Sequence, residues 1–293
     1  MNGNGIQTND TIAVRRLATE QDLDAAIERE ALLTMGMDRG LAHSVWATSD
    51  NTAVAVVYAD DGDADGDGNE DEDGNRGGWM VVVRGPLRSA ITDEDGDGDP
   101  AHEDGPGESL VHLAEVVRAE VGGVIKGLTV PRSAHLRSAL ERWQIETGAD
   151  WDLMACVTPP PLQPGESNVR TDLTEAEVQG FLDRVNPHHS VRADDPTVEL
   201  WAGVRDDQGA VLAVGALTRR RTGTGYLGSI ATDPAARGTG YGSAVTAFLT
   251  RQVFVAGGSA CTLAHYHPND IARRVYLRLG YRTIAQNHSA HFG

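Results

Sequence analysis

Apolar positions along the chain switch between a period near 3.6 and a period near 2, and the switches mark a succession of short helices and strands. Leu23, Ala26, Ile27 and Ala31 recur at helical spacing after Thr19, with acids early, which predicts a helix ending near Gly36. Residues 53–58 (AVAVVY) form an unbroken apolar run and predict a buried strand, and residues 79–83 resume strand character. Further on, 110–121 patterns as an amphipathic helix, 124–130 as a strand, 132–143 as a helix and 151–157 (WDLMACV) as a strand.

The stretch TPPPLQPG, residues 158–165, interrupts this alternation, because consecutive prolines continue neither a helix nor a central ladder. A second domain is expected after it. Thr174 to Glu177 reads as a capping box that opens a helix with Val178, Phe181, Leu182 and Val185 on one face, stopped by Asn186-Pro187. Residues 198–204 and 211–217, joined by a turn at 206–209, predict a hairpin, and a second turn at 219–225 leads into a strand at 226–232.

That last strand begins the most informative segment, YLGSIATDPAARGTGYG (226–242). It breaks at Asp233-Pro234, and a glycine loop then opens a helix-compatible stretch, 243–255. Glycines let successive backbone N–H groups converge without Cβ obstruction, and a helix N-terminus adds unpaired donors and a positive dipole end, so the loop suits a pyrophosphate. Arg237 adds a fixed positive charge. Two other glycine loops do not fit. A dinucleotide fingerprint needs G-x-G-x-x-G directly after the strand and an acid about twenty residues on, whereas the spacing here is G-x-G-x-G and 253–263 holds no acid; a nucleotide-hydrolase phosphate loop needs Gly-Lys-Ser/Thr, which does not follow.

Downstream, 269–281 (NDIARRVYLRLGY) reads as a helix. Ile271, Val275 and Leu279 form an apolar row, Asn269 can cap it, Gly280 can end it, and Tyr276 falls off the row. The combination of R-x-x-G-x-G with N-x-x-A-x-x-x-Y-x-x-x-G-[FY], separated by one helix and one strand, resembles the GNAT superfamily of acyl-CoA-dependent N-acyltransferases. The resemblance spans roughly the last 125 residues. It implies an α/β (α+β) fold of two GNAT-like domains, each a mixed, mostly antiparallel central sheet flanked by helices. Residues 1–157 are then a degenerate N-terminal copy without a cofactor loop, 158–167 the linker, and 168–293 the acetyl-CoA-binding catalytic domain.

The same resemblance implies that main-chain groups of Ile230, Ala231 and Thr232 hold the pantetheine arm and the acyl carbonyl. Arg237, Gly238, Thr239, Gly240, Tyr241, Gly242 and Ser243 would hold the pyrophosphate, and Asn269 would contact the cofactor. Tyr276 would be the general acid toward the CoA sulfur, a role its phenol suits because it is neutral at pH 7 and still able to donate. The activity implied is transfer of an acetyl group from acetyl-CoA to a primary amine of a small molecule or peptide by direct attack. A non-catalytic CoA-binding regulatory module on the same scaffold is the alternative, because residues 226–232 contain no carboxylate to act as base. His188, His189, Glu199, His265 and His267 are the candidates for that missing base, undecided among themselves. His265-Tyr266-His267 is not read as a zinc site, since adjacent strand residues point to opposite faces and no Cys or acid completes the set.

Composition changes this picture in one place. The net charge of −18 is concentrated in two insertions, with nine acids in 60–73 and eight in 93–108. Without those seventeen, the chain carries 26 acidic against 25 basic residues. A body without a basic excess argues against nucleic-acid binding. Insertions 60–78 and 92–108 are too polar and glycine-rich to offset their ordering entropy, so disorder is expected there. Asp61, Asp63, Asp65, Gly66 and Glu72 match a calcium-loop pattern, and Asp93, Asp95, Asp97, Gly98 and Asp104 nearly repeat it, but an EF-hand needs flanking helices and the first stretch lies between strands; a solvated acidic loop is the expectation. No apolar run is long enough to span a bilayer and MNGNGIQTND is no secretion leader, so a cytoplasmic protein is expected, monomer or homodimer, without membrane or nucleic-acid partners. Cys156 and Cys261 fit no metal spacing and are read as reduced core residues.

Overall fold

The structure is a computed structural model that describes residues 13–17, 42–48, 54–60, 78–84, 107–120, 125–132, 141, 146–219 and 224–291. The helix expected from Thr19, most of the helix expected at 132–143, the bulk of both acidic insertions and the turn at 220–223 lie outside the described residues.

Twelve strands are described: β1 (Val14–Arg16), β2 (Ala42–Thr48), β3 (Val54–Asp60), β4 (Gly78–Arg84), β5 (Ile125–Pro131), β6 (Glu146–Cys156), β7 (Val169–Arg170), β8 (Val198–Arg205), β9 (Val211–Arg219), β10 (Gly225–Thr232), β11 (Cys261–Tyr266) and β12 (Arg282–His291). Four helices accompany them: α1 (Gly107–Glu120), α2 (Glu175–Val185), α3 (Tyr241–Val255) and α4 (Asp270–Arg278). Local chemistry explains their ends. The capping box at the start of α2 is complete, with the Thr174 hydroxyl accepting from the Glu177 N–H and the Glu177 carboxylate accepting from the Thr174 N–H. Asn269 caps α4 through its side-chain oxygen, 3.1 Å from the Ala272 N–H, and Gly280 ends the helix at φ +92°.

All twelve strands belong to one sheet, in the order β1-β2-β3-β4-β5-β12-β6-β11-β10-β9-β8-β7. Each half contributes a mixed, mostly antiparallel set with one parallel pair, β4 with β5 and β10 with β11. The two sets run together because the last strand of each half crosses over. β6 lies antiparallel between β11 and β12, and β12 continues the sheet to β5. The 158–167 segment therefore joins two halves that already share a ladder, and it is tied down in turn. Arg251 of α3 donates to the Pro160 carbonyl at 3.0 Å and pairs with Glu166.

β1, β2 and β12 had no counterpart in the sequence reading, and β6 starts five residues before the expected 151. β12 (RTIAQNHSAH) is central, paired on both edges, and draws its order from those ladders rather than from apolar alternation. In the N-terminal half, Leu110, Leu113, Ala114 and Val117 of α1 pack on Ala55, Val57, Val81, Leu128 and Val130. In the C-terminal half, α2 covers one face through Val178, Phe181 and Leu182, while α3 and α4 cover the other through Val245, Leu249, Val253, Tyr276 and Leu279.

Candidate active site

β10 and β11 run parallel and pair only from Gly225 with Cys261 to Leu227 with Leu263. Beyond Leu227 the register of β10 with β9 shifts, between Gly228 and Ala231, and β10 has no partner on its β11 side. The shift is a bulge centred on Ser229, which sits at φ +48°, a left-handed conformation that a non-glycine residue adopts only at a cost. Two hydrogen bonds hold it there: the Ser229 hydroxyl accepts from the Val191 N–H at 2.9 Å and donates to the Val191 carbonyl at 3.0 Å. The result is a cleft in the sheet whose β10 wall, including Ile230, Ala231 and Thr232, offers unpaired main-chain groups.

The glycine loop closes one end of this cleft. Asp233 caps a 3-10 turn (Pro234–Ala236), accepting from the Ala235 N–H at 2.9 Å, and the Thr239 hydroxyl donates to the Ala236 carbonyl at 2.7 Å. Gly238 and Gly240 have φ of +83° and +90°. A Cβ on Gly242 would come within 3.0 Å of the Thr232 hydroxyl, so the third glycine lets the first turn of α3 approach the end of β10. The α3 ladder starts with the Ala244 N–H on the Gly240 carbonyl at 2.9 Å. The N–H groups from Gly238 to Ser243 find no acceptor among the described residues. Arg237 is exposed beside them and makes no ion pair with a described residue. Six N–H groups without an acceptor among the described residues, a helix N-terminus and the exposed Arg237 guanidinium thus lie together at the end of β10.

Tyr276 lies on α4, and here the sequence reading of the helix face needs correction. Ile271, placed on the apolar row, is 67% exposed, whereas Tyr276, placed off it, is 6% exposed and packs in one cluster with Leu279. The short helix joins the core along the line of Ala272, Val275, Tyr276 and Leu279. Burial pushes the Tyr276 phenol well above the ordinary tyrosine range, and the nearby Tyr226 adds to the rise. The phenol therefore keeps its proton throughout the physiological range.

The candidate bases separate by position. Glu199 is held by Arg219 at 2.7 Å on β8, two strands from β10. His188 is exposed, and His189 bonds back to the Asn186 carbonyl in the loop after α2. His265 and His267 instead converge on Asp152, a residue of β6 that the sequence reading did not single out. Asp152 is 1% exposed and pairs in register with His265. His267 Nδ1 lies 3.2 Å from Asp152 Oδ2, and His265 Nε2 lies 3.9 Å from it. The His265 ring stands 6.0 Å from the Tyr276 ring, centroid to centroid. The missing signal was the register of β6 with β11. Just beyond, where β6, β11 and β12 meet, a hollow of about 410 Å³ is lined by Gly148, Ala149, Asp150, Tyr266, Pro268 and His288, with His288 Nδ1 2.7 Å from Asp150 Oδ1.

Cys156 and Cys261 are free and buried, and burial raises both thiols, Cys261 to about 12, so neither is a nucleophile at neutral pH. No group of His, Cys, Asp and Glu among the described residues is arranged to hold a metal ion, and no described helix is long and apolar enough to cross a membrane.

Comparison with known proteins bears on the fold. Residues 202–290 match the family model described as FR47-like protein. The GCN5-related N-acetyltransferase from Sphaerobacter thermophilus superposes with a TM-score of 0.54 at 16% identity, over 96% of this chain and 95% of that one. A Drosophila protein solved as a structural-genomics target gives 0.54 at 12%, over 96% and 99%. A tandem GNAT protein from the clavulanic acid biosynthesis pathway gives 0.45 at 12%, over 97% and 99%. No curated protein matches the sequence. The fold of the chain is that of the GNAT acetyltransferases.

Proposed function

We propose, from a chain with the GNAT fold, that the protein is an acyltransferase moving an acetyl group from acetyl-CoA to a primary amine of a small molecule or peptide. The observation that carries this reading is the presence together of three features: a bulged strand with an edge unpaired on its β11 side, a glycine loop of unpartnered N–H groups at its end, and a buried tyrosine on α4 whose ring stands 6.0 Å from that of His265 on β11. When bound, acetyl-CoA supplies a thioester whose acyl carbon the amine attacks. The residues do the rest. N–H groups from Gly238 to Ser243 and the Arg237 guanidinium hold the pyrophosphate, and the β10 edge at Ile230, Ala231 and Thr232 orients the pantetheine arm and polarises the carbonyl. Asn269 has its oxygen engaged in capping, which leaves its amide N–H₂ for the cofactor. Tyr276 holds a proton over the cleft for the departing sulfur.

The hollow at the β6–β11–β12 junction is a route for the acceptor, with Asp150 and His288 on its wall to attract an ammonium. Because β10 lacks a carboxylate, a regulatory CoA-binding module remains the second reading. Calorimetry with acetyl-CoA, followed by thiol release across a panel of primary amines, separates the two. Binding with amine-dependent thiol release is expected, and binding without turnover of any amine selects the regulatory module. Tyr276→Phe should retain acetyl-CoA affinity while kcat falls at least about tenfold.

A further inference from the structure

β10 offers no base, yet the cleft is flanked by a buried carboxylate that the other half of the chain supplies. Asp152 sits on β6, opposite His265 on one side and Gln286 on the other, and is 1% exposed. A carboxylate at that depth needs partners for its charge. Its nearest basic side chains among the described residues are two imidazoles, His267 at hydrogen-bond distance and His265 at 3.9 Å, within electrostatic reach but too far to bond.

The His265 ring is fixed in one tautomer. Its Nδ1 lies 2.9 Å from the Tyr266 carbonyl oxygen, which can only accept, so Nδ1 carries the hydrogen and Nε2 presents a lone pair. That Nε2 is buried, in a side chain 2% exposed, and has no hydrogen-bond partner. A buried imidazole nitrogen left unpaired beside a carboxylate and a tyrosine, at the point where two strands part, is an acceptor waiting for a donor.

Resting on the acetyl-transfer reading above, we propose that His265 is the base of the reaction and that Asp152, delivered by the exchanged strand of the N-terminal half, is its positioning residue. The amine nitrogen forms its bond to the acyl carbon while its departing proton goes to His265 Nε2. The carbon–sulfur bond breaks, and the sulfur takes the proton of the Tyr276 hydroxyl. The imidazolium then returns a proton to the tyrosinate beside it, so both side chains end as they began and the net transfer is one proton from amine to thiol. The Asp152 carboxylate offsets the positive charge that forms on the His265 ring, and the charged ring in turn offsets that of a tyrosinate in an apolar site. The titratable groups near His265 are Asp152 from β6, His267 after β11 and Tyr276 from α4, with the Asp150–His288 pair next along β6 and β12. The site is thereby incomplete without the N-terminal half.

The test uses the full chain without ligand first. Imidazole nitrogen NMR should show the neutral His265 ring protonated at Nδ1, with the lone pair at Nε2. A neutral ring protonated at Nε2 overturns the proposal. In turnover of an amine accepted in the panel, His265→Gln should lower kcat about a hundredfold with the acetyl-CoA Kd unchanged, and Asp152→Asn should lower kcat about tenfold with the amine KM and the acetyl-CoA Kd unchanged. Wild-type turnover in a folded His265→Gln overturns it as well. Asp152→Asn is close to isosteric and keeps the test valid should His265→Gln fail to fold. If wild-type chain does not bind acetyl-CoA, the function proposed above falls and the relay with it; a His265 ring protonated at Nε2 in a chain that binds acetyl-CoA sinks the relay alone.

Discussion

The two parallel crossovers, β4-α1-β5 and β10-α3-β11, are the same device built for different ends. β4 pairs with β3 in unbroken register from Val54–Arg84 to Asp60–Gly78, and with β5 from Trp79–Ile125 to Val82–Thr129 with a shift between Trp79 and Met80. β10 breaks register with β9 at a bulge and leaves β11 after three residues. The chain between β4 and α1 carries the second acidic insertion, whereas that between β10 and α3 is the short glycine loop. The antiparallel ladder of β4 with β3 stays whole, whereas that of β10 with β9 is bulged. The comparison teaches that the cleft comes from giving up hydrogen bonds along one strand, with Ser229 and Val191 bearing the local cost.

The seam between the halves is the place to break that comparison most severely. A Cβ on Gly148 of β6 would land on the Ser289 carbonyl of β12, and backbone cannot give way there as a side-chain tip can. Gly148→Val should cost roughly 3 kcal/mol or more and unfold both halves together, measured as one cooperative transition at a much lower Tm. Loss confined to one half would show that the shared sheet does not couple them. Next in size is the pyrophosphate cradle. Arg237→Glu places an anion beside six N–H donors and should weaken acetyl-CoA binding about ten- to a hundredfold by calorimetry, with one equivalent bound per wild-type chain. Two tightly bound equivalents would show that the N-terminal crossover keeps a site of its own.

Ser229 sharpens the comparison at the bulge. Ser229→Ala removes both bonds to Val191 and keeps the left-handed backbone, so a loss of about 1–3 kcal/mol is expected in denaturant unfolding. Ser229→Gly should lose less, because glycine adopts that φ without strain; equal losses would mean that strain is not stored there. The smallest effect belongs to the α2 cap. The Thr174 N–H, then its hydroxyl, then Arg205 hold the Glu177 carboxyl down at about 2. A folded-state value below the unfolded one means the stabilisation is present above the ordinary glutamate range and is lost as pH falls toward 2. Glu177→Gln should therefore lower Tm slightly at pH 6 to 7, with the difference from wild type vanishing near pH 2. A difference that persists at pH 2 would assign the effect to something other than the carboxylate.

Much of the C-terminal half was legible in the sequence because its signals are local. The capping box at Thr174, the hairpin turn at 206–209, the N-cap at Asn269 and the terminating Gly280 each depend on a few neighbouring residues and backbone angles. The glycine loop was legible for the same reason, since Gly238 and Gly240 take backbone angles that few other residues tolerate. The face that α4 buries was not, because a nine-residue helix with several apolar positions has more than one possible line, and packing into the C-terminal core follows the line through Tyr276 rather than Ile271.

What the sequence by itself determined is the succession of elements in much of the second half and the glycine loop between β10 and α3. What only the tertiary structure decided is which strands meet: the crossing of β6 and β12 between the halves, and with it the placement of Asp152 against His265. The reason is physical. A turn or a cap is specified by atoms a few bonds apart, whereas a strand's partner is whichever edge remains open, and the entropy of closing the chain grows only as the logarithm of the separation. For β12, 282–291, the near edge of β11 was already taken by β6, so its ladders formed instead with β6 and with β5, more than 150 residues away along the chain.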